Sequence, residues 1–292
     1  MIRVLENEFL KVAINDHGAE LSSIFDKEKG HEVLWQADPA FWGRHAPVLF
    51  PNVGKHFGNH YRVNGQEYPS RQHGFARDTD FSCVDSTPDS VTHQIKSTKE
   101  TRKDYPFDFT LRIKHILNGR RLTISWKVEN NSDGPMYFTI GGHPAFNVPI
   151  LPDTKRSDYF LTFDGQDSLT YVQVDTATGT AKADERRILS LENGRCPIDD
   201  HMFDNDALVF DGQISRVGIA LPDGSPYLEL RCAGFPNFGI WSASGDAPFV
   251  CLEPWMGRCD DFGFEGELSQ KPYINTLGLD EMFETAYTIE IF

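Results

Sequence analysis

The stretch Phe109-Thr110-Leu111-Arg112-Ile113, the dipeptide Asn118-Gly119, and the stretch Leu122-Thr123-Ile124-Ser125-Trp126-Lys127-Val128 decide the fold class. Both flanking runs alternate apolar and polar side chains, the period of a strand with one buried face. Asn-Gly supplies the positive φ angles of a tight hairpin turn. Asn64-Gly65 marks a second hairpin between Tyr61 and Tyr68, and Asp211-Gly212 and Asp223-Gly224 punctuate the later half in the same way. Helical signals are few. Asp38-Pro39-Ala40-Phe41-Trp42 reads as a cap followed by proline at the first helical position. The polar segment from Asp175 to Arg187 is expected to be an exposed loop. No repeat or low-complexity linker interrupts the pattern. The expectation is an all-β chain, with 1–292 forming one domain.

With 292 residues, the chain can bury about three-quarters of its unfolded surface and needs no covalent staples. A formal net charge of -15 argues against nucleic acid and anionic membranes as partners. No stretch approaches the ~18 apolar residues of a membrane span. The five cysteines (Cys83, Cys196, Cys232, Cys251, Cys259) contain no Cys-x-x-Cys pair, so no zinc site is expected. The start shows no basic segment followed by an apolar run, so a reduced, cytoplasmic protein is the expected setting.

The segment Gly141-Gly142-His143-Pro144-Ala145-Phe146-Asn147 sets a histidine on a backbone built for close approach. The glycines carry no side chain, and Pro144 holds His143 extended. Such a histidine is a candidate proton carrier, or simply a hydrogen-bonded core residue. Cys251-Leu252-Glu253-Pro254-Trp255 places an acid in apolar surroundings beside a proline and an indole. Together, His143 and Glu253 can form an acid/base pair. Arg71-Gln72-His73-Gly74-Phe75-Ala76-Arg77-Asp78 offers a second histidine and an arginine able to clamp an anion, unless Arg77 is spent on a surface pair. Phe50-Pro51-Asn52-Val53-Gly54-Lys55-His56 suits a loop at a pocket mouth or an ordinary turn. In Phe203-Asp204-Asn205-Asp206-Ala207-Leu208 a carboxylate can hold sugar hydroxyls or form a turn, and Trp241 can stack on a pyranose or fill the core. No phosphate-binding glycine loop, Gly-x-Ser-x-Gly elbow or His-Glu-x-x-His occurs.

In chain order, Asn7-Glu8-Phe9-Leu10, His17-Gly18-Ala19-Glu20-Leu21, His73-Gly74-Phe75-Ala76-Arg77, Gly142-His143-Pro144-Ala145-Phe146, Glu253-Pro254-Trp255 and Gly266-Glu267-Leu268 resemble the aldose 1-epimerase (galactose mutarotase) family, within it the LacX-like branch. The resemblance implies a large antiparallel β-sandwich that binds an aldose across a concave sheet, as a monomer or homodimer, without metal or organic cofactor. It also implies His143 as general acid, Glu253 as general base, and His73 and Asp206 as sugar-binding residues, with Asp204 the neighbouring candidate. Arg77, Lys55, Asn52 and Trp241 complete the expected substrate-binding set. Lys55 follows Gly54 where the galactose-specific pattern carries arginines. The His73–Arg77 run, with Arg44-His45-Ala46-Pro47 a partial match, is similar to the hexose-6-phosphate epimerase branch. A phosphorylated hexose is therefore the alternative substrate, and a non-catalytic sugar-binding protein the alternative role.

Overall fold

The deciding hairpin pairs Phe109–Asn118 with Arg121–Asn130 over ten residue pairs, Leu111 opposite Val128 and Asn118 opposite Arg121. Its turn lies one residue later than the dipeptide suggested. Asn118 is the last paired residue, and Gly119, at φ 58°, takes the left-handed position. Arg120 fills the other turn position and reaches the buried Asp26 carboxylate at 2.9 Å, tying the hairpin tip to the N-terminal strands. Asn64-Gly65 forms the expected turn directly, with φ of 53° and 77° between His60–Val63 and Gln66–Pro69.

A computed structural model describes residues 1–243 and 245–292. The hairpin lies within a nine-stranded sheet running from Arg195–Pro197 at one edge to Ser82–Ser86 at the other. A second large sheet has the order Thr180–Ser190, Ser168–Asp175, Leu208–Asp211, Asn237–Trp241, Phe249–Met256, Ile140–Gly142, Val48–Leu49, and Ala145–Asn147 also pairs with Phe249–Met256. A four-stranded N-terminal meander begins at Ile2–Glu6. All pairings between these strands are antiparallel, giving an all-β sandwich of the expected class.

Two expectations fail for identifiable reasons. The Asp38 segment makes a single turn, in which the Asp38 carbonyl accepts from Trp42 N–H at 2.9 Å, and no helix follows. The polar run after Asp175 is not a loop. Thr180–Ser190 is an edge strand paired with Ser168–Asp175, and only residues 176–179 turn. Beyond Ala181 that strand is largely exposed, so it carries polar side chains in place of an apolar alternation.

The core lies between the two large sheets. Leu122, Ile124, Trp126 and Val128 point inward from one, and Phe238, Ile240, Val250 and Leu252 from the other. Trp126 packs on Tyr287 at 5.3 Å and on Phe235 at 5.9 Å between ring centroids. Burying each such side chain contributes roughly 1.5–3 kcal/mol. Among the described residues no helix is long and apolar enough to cross a membrane.

Candidate active site

Phe249–Met256 is buried on both faces. Its even members Val250 and Leu252 join the main core, while Cys251 and Trp255 belong to separate apolar clusters on the opposite face. Glu253 falls between those two, on the same face. A cavity of about 500 Å³ opens there, lined among others by His73, Arg77, His143, Asp206, Trp241 and Glu253.

The glycines of the flanking strands shape its floor. Gly141 and Gly239 sit on the neighbours of Phe249–Met256, and a Cβ on either would lie 2.5 or 2.4 Å from the Trp255 indole. Trp255 therefore lies in a slot that only glycine permits on both sides. Gly142 points the other way, where a Cβ would meet the Tyr287 hydroxyl at 2.8 Å. The Gly141-Gly142 pair thus serves both faces of one sheet, admitting Trp255 on one side and Tyr287 on the other.

Register then brings the two candidate proton carriers together. Ile140 pairs with Met256 and Gly141 with Trp255; after the His143-Pro144 interruption, Ala145 pairs with Cys251 in the same register. His143 thus falls opposite Glu253, whose other neighbour is Gly239. Directly opposed residues are the closest side-chain neighbours of an antiparallel pair. His143 Nε2 lies 3.3 Å from Glu253 Oε2. Glu253 is only 1% exposed, and burial raises its pKa well above the usual carboxylate value, with the Asp206 charge adding to the effect. The Trp255 indole N–H acts in the opposite sense, although it makes no hydrogen bond of ordinary geometry. Burial likewise pushes His143 down to about 3, and Arg77 and Arg44 push it further the same way. Burial thus favours the uncharged form of each partner, a carboxyl beside a neutral imidazole.

His73 is held by the opposite wall. Its backbone is left-handed at φ 64°, its N–H donates to the Gly54 carbonyl at 2.8 Å, and its Nδ1 accepts from Gly54 N–H at 3.0 Å. That acceptor role leaves the proton on Nε2. Burial, with His143 and the nearby cations, holds His73 well below its ordinary pKa. The rings of His73 and His143 meet edge to face at 5.6 Å.

The remaining sequence candidates divide. Asp206 lines the cavity at φ 75°, whereas Asp204 pairs with His201 at 2.9 Å in an exposed ion pair. Trp241 lines the cavity and meets His143 edge to face at 5.7 Å. Arg77 also lines it, though its guanidinium donates to the Gln72 carbonyl at 2.9 Å and lies 3.8 Å from Asp78. The Lys55 stem runs close over Gly179, a cavity residue, at 2.8 Å from where a Cβ would stand. Asn52 is set apart: its buried amide donates to the Gly54 and Arg71 carbonyls, bracing the loop behind His73. Sequence reasoning missed Trp42, which stacks on His143 at 4.7 Å and 25° from a turn with no strand or helix period. It also missed Arg156, buried and, among the described residues, without a carboxylate partner. Arg156 donates to Ser242 Oγ and to the Gly245 and Ala247 carbonyls, while its guanidinium lies over the Phe203 ring. Both Ser242 and Phe203 line the cavity.

The cavity thus combines a histidine–carboxylate pair on its floor with the indoles of Trp42 and Trp241, the mixture of apolar lining and a few polar groups common in small-molecule sites. Residues 1–261 match the family model for aldose 1-epimerase, and the chain belongs to that family. It is 32% identical over 294 residues to the plasmid and chromosomal LacX proteins of Lactococcus lactis subsp. lactis, covering 98% of each chain in both cases. Among solved structures it is similar to a galactose mutarotase related enzyme from Lactobacillus acidophilus, with 32% identity, a TM-score of 0.95, and coverage of 100% of this chain and 97% of that one. A galactose mutarotase-like protein from Lactobacillus casei ATCC 334 gives 31% identity and a TM-score of 0.91 over the whole of both chains.

Proposed function

We propose that the protein interconverts the α and β anomers of a hexose, with Glu253 as base and His143 as acid. The observation that carries this reading is the 3.3 Å contact between His143 Nε2 and Glu253 Oε2. The two oxygens that exchange protons in anomer interconversion, the C1 hydroxyl and the ring oxygen, are bonded to the same carbon. The groups serving them must therefore be neighbours. Transfer of the carboxyl proton from Glu253 to His143 gives a carboxylate beside an imidazolium. The carboxylate takes the proton of the C1 hydroxyl and the imidazolium protonates the ring oxygen. The C1–O5 bond opens, the aldehyde turns about C1–C2, and the ring closes on its other face as both protons return. Trp42, stacked on His143, favours the imidazolium through its π face. His73 and Asp206, which line the same cavity, hold the sugar's hydroxyls in this reading.

Polarimetry of freshly dissolved α-glucose and α-galactose tests the assignment. Glu253→Gln and His143→Asn should each slow the enzyme by about 10²–10⁴-fold, the usual worth of a positioned proton transfer. Wild-type rates in both variants would sink it, and no acceleration by the intact protein would leave sugar binding as the role.

A phosphorylated hexose is the second reading, favoured by the cations Arg44, Arg77 and Lys55, whose charges bear on His73. Asp78 already pairs with Arg44 at 2.8 Å, which lowers the net positive charge there. Glucose 6-phosphate turned over faster than glucose, with the advantage lost in Arg77→Ala, is the expected signature of that branch. Equal rates in both would remove it.

A further inference from the structure

Three metal-ligating side chains meet at the floor, where His143 and Glu253 line the cavity and Cys251 lies fully buried beside them. Cys251 and Glu253, two apart on one strand, point to the same side. His143, in the gap between the strands Ile140–Gly142 and Ala145–Asn147, takes the position opposite Glu253. One donor atom from each lies within 4.8 Å of the other two, and all three residues are buried. Cys251 is a free thiol. His143 Nδ1 and Glu253 Oε2 are buried with no hydrogen-bond partner. Sulfur, imidazole nitrogen and a single carboxylate oxygen are a donor set for zinc, not for the hard cations Mg²⁺ and Ca²⁺. A search for Cys-x-x-Cys does not detect it, because its donors come from two strands separated by about a hundred residues.

We propose that the floor of the cavity is also a Zn²⁺ site, with Cys251 Sγ, a ring nitrogen of His143 and a Glu253 oxygen as ligands and the fourth position open to the cavity. The site rests on donor geometry alone. Its inhibitory consequence rests on the acid/base reading above. On binding, the Cys251 thiol and the Glu253 carboxyl each give up a proton to solvent, and their lone pairs pass to the ion. The ion then occupies the electron pairs that would otherwise take and return the sugar's protons, so zinc and sugar exclude one another.

The test uses the full-length protein after treatment with a chelator and dialysis. Equilibrium dialysis against ZnCl₂ should find one ion per chain. CoCl₂ in its place should give a near-ultraviolet thiolate-to-cobalt charge-transfer band. The band should persist in Cys259→Ser, which removes the cysteine that lines the cavity, and vanish in Cys251→Ser. Zinc affinity in Cys251→Ser should fall by about 100-fold, at the upper end of what loss of even an outer-shell partner costs. Zinc should stop mutarotation, and EDTA should restore it. No stoichiometric binding by the wild-type chain overturns the proposal without recourse to any variant. So does a band that follows Cys259 instead of Cys251. Stoichiometric zinc with full mutarotation would keep the site and overturn the acid/base reading.

Discussion

Two pairs of buried histidines in this molecule look alike and do different things. His73 and His143 meet edge to face at 5.6 Å in the cavity, and His93 and His115 meet edge to face at 6.5 Å in the strands Ser90–Lys96 and Phe109–Asn118. Burial pushes both His143 and His115 down to about 3. What separates the pairs is the carboxylate beside each. Asp16 lies 3.0 Å from His93 Nε2 but also binds Arg3 through two hydrogen bonds, and that arginine holds it well below the usual carboxylate pKa. Glu253 has no arginine, and burial raises its pKa instead. A carboxylate fixed as an anion is a strut. One left without a counter-ion can both accept and release a proton.

The sharpest way to break this comparison is to neutralise each acid. Glu253→Gln should cost about 10²–10⁴ in rate and leave stability equal or higher at neutral pH. The sign follows from linkage. Above roughly pH 4.3 the unfolded chain ionises Glu253 while the folded chain keeps it protonated, so this group subtracts from stability as pH rises beyond that point. Asp16→Asn should do the reverse, keeping the rate while lowering stability by about 1–3 kcal/mol through its charged hydrogen bonds. Urea melts paired with polarimetry measure both, and a stability loss in Glu253→Gln as large as that in Asp16→Asn would erase the distinction.

Acid should act next in size. An unfolded histidine gains its proton near pH 6.5, whereas His115 in the folded chain resists until about 3. Stability should therefore fall as pH drops through that window. Thermal melts between pH 7 and pH 4 should show a shallower decline in His115→Leu than in the wild type. Identical slopes would mean that other groups govern the acid limb.

The smallest effect concerns Trp42. If its π face favours the His143 imidazolium, Trp42→Ala should slow turnover by up to about tenfold, the worth of a partly buried cation–π contact. Trp42→Phe should recover most of that. A loss that Phe fails to restore would point to shape, not charge.

Much of this was written in single residues and little in their partners. Alternation and Asn-Gly marked the strands, and glycine and proline drew attention to His143 and Glu253. The contact between those two depends on register across Phe249–Met256, which one sequence does not display. The same holds for Cys251 beside His143. Asp206 and Asp204 were indistinguishable until the chain's left-handed step at Asp206 set one in the cavity and left the other with His201. Trp42 escaped because a turn has no period. The polar run from Asp175 to Arg187 reads as a loop because an exposed edge strand, here Thr180–Ser190, lacks the apolar alternation that marks a strand.

The Trp255 indole, keyed between Gly141 and Gly239, carries a consequence for change in this protein. Enlarging either glycine collides with the ring, and shrinking the ring opens a void against two bare backbones. The floor can be altered only by several simultaneous substitutions. The walls at Trp42, Phe203 and Ser242 come from turns and loops outside those interlocked strands. Variation in which sugar is accepted should therefore accumulate around the rim, above a base that stays the same.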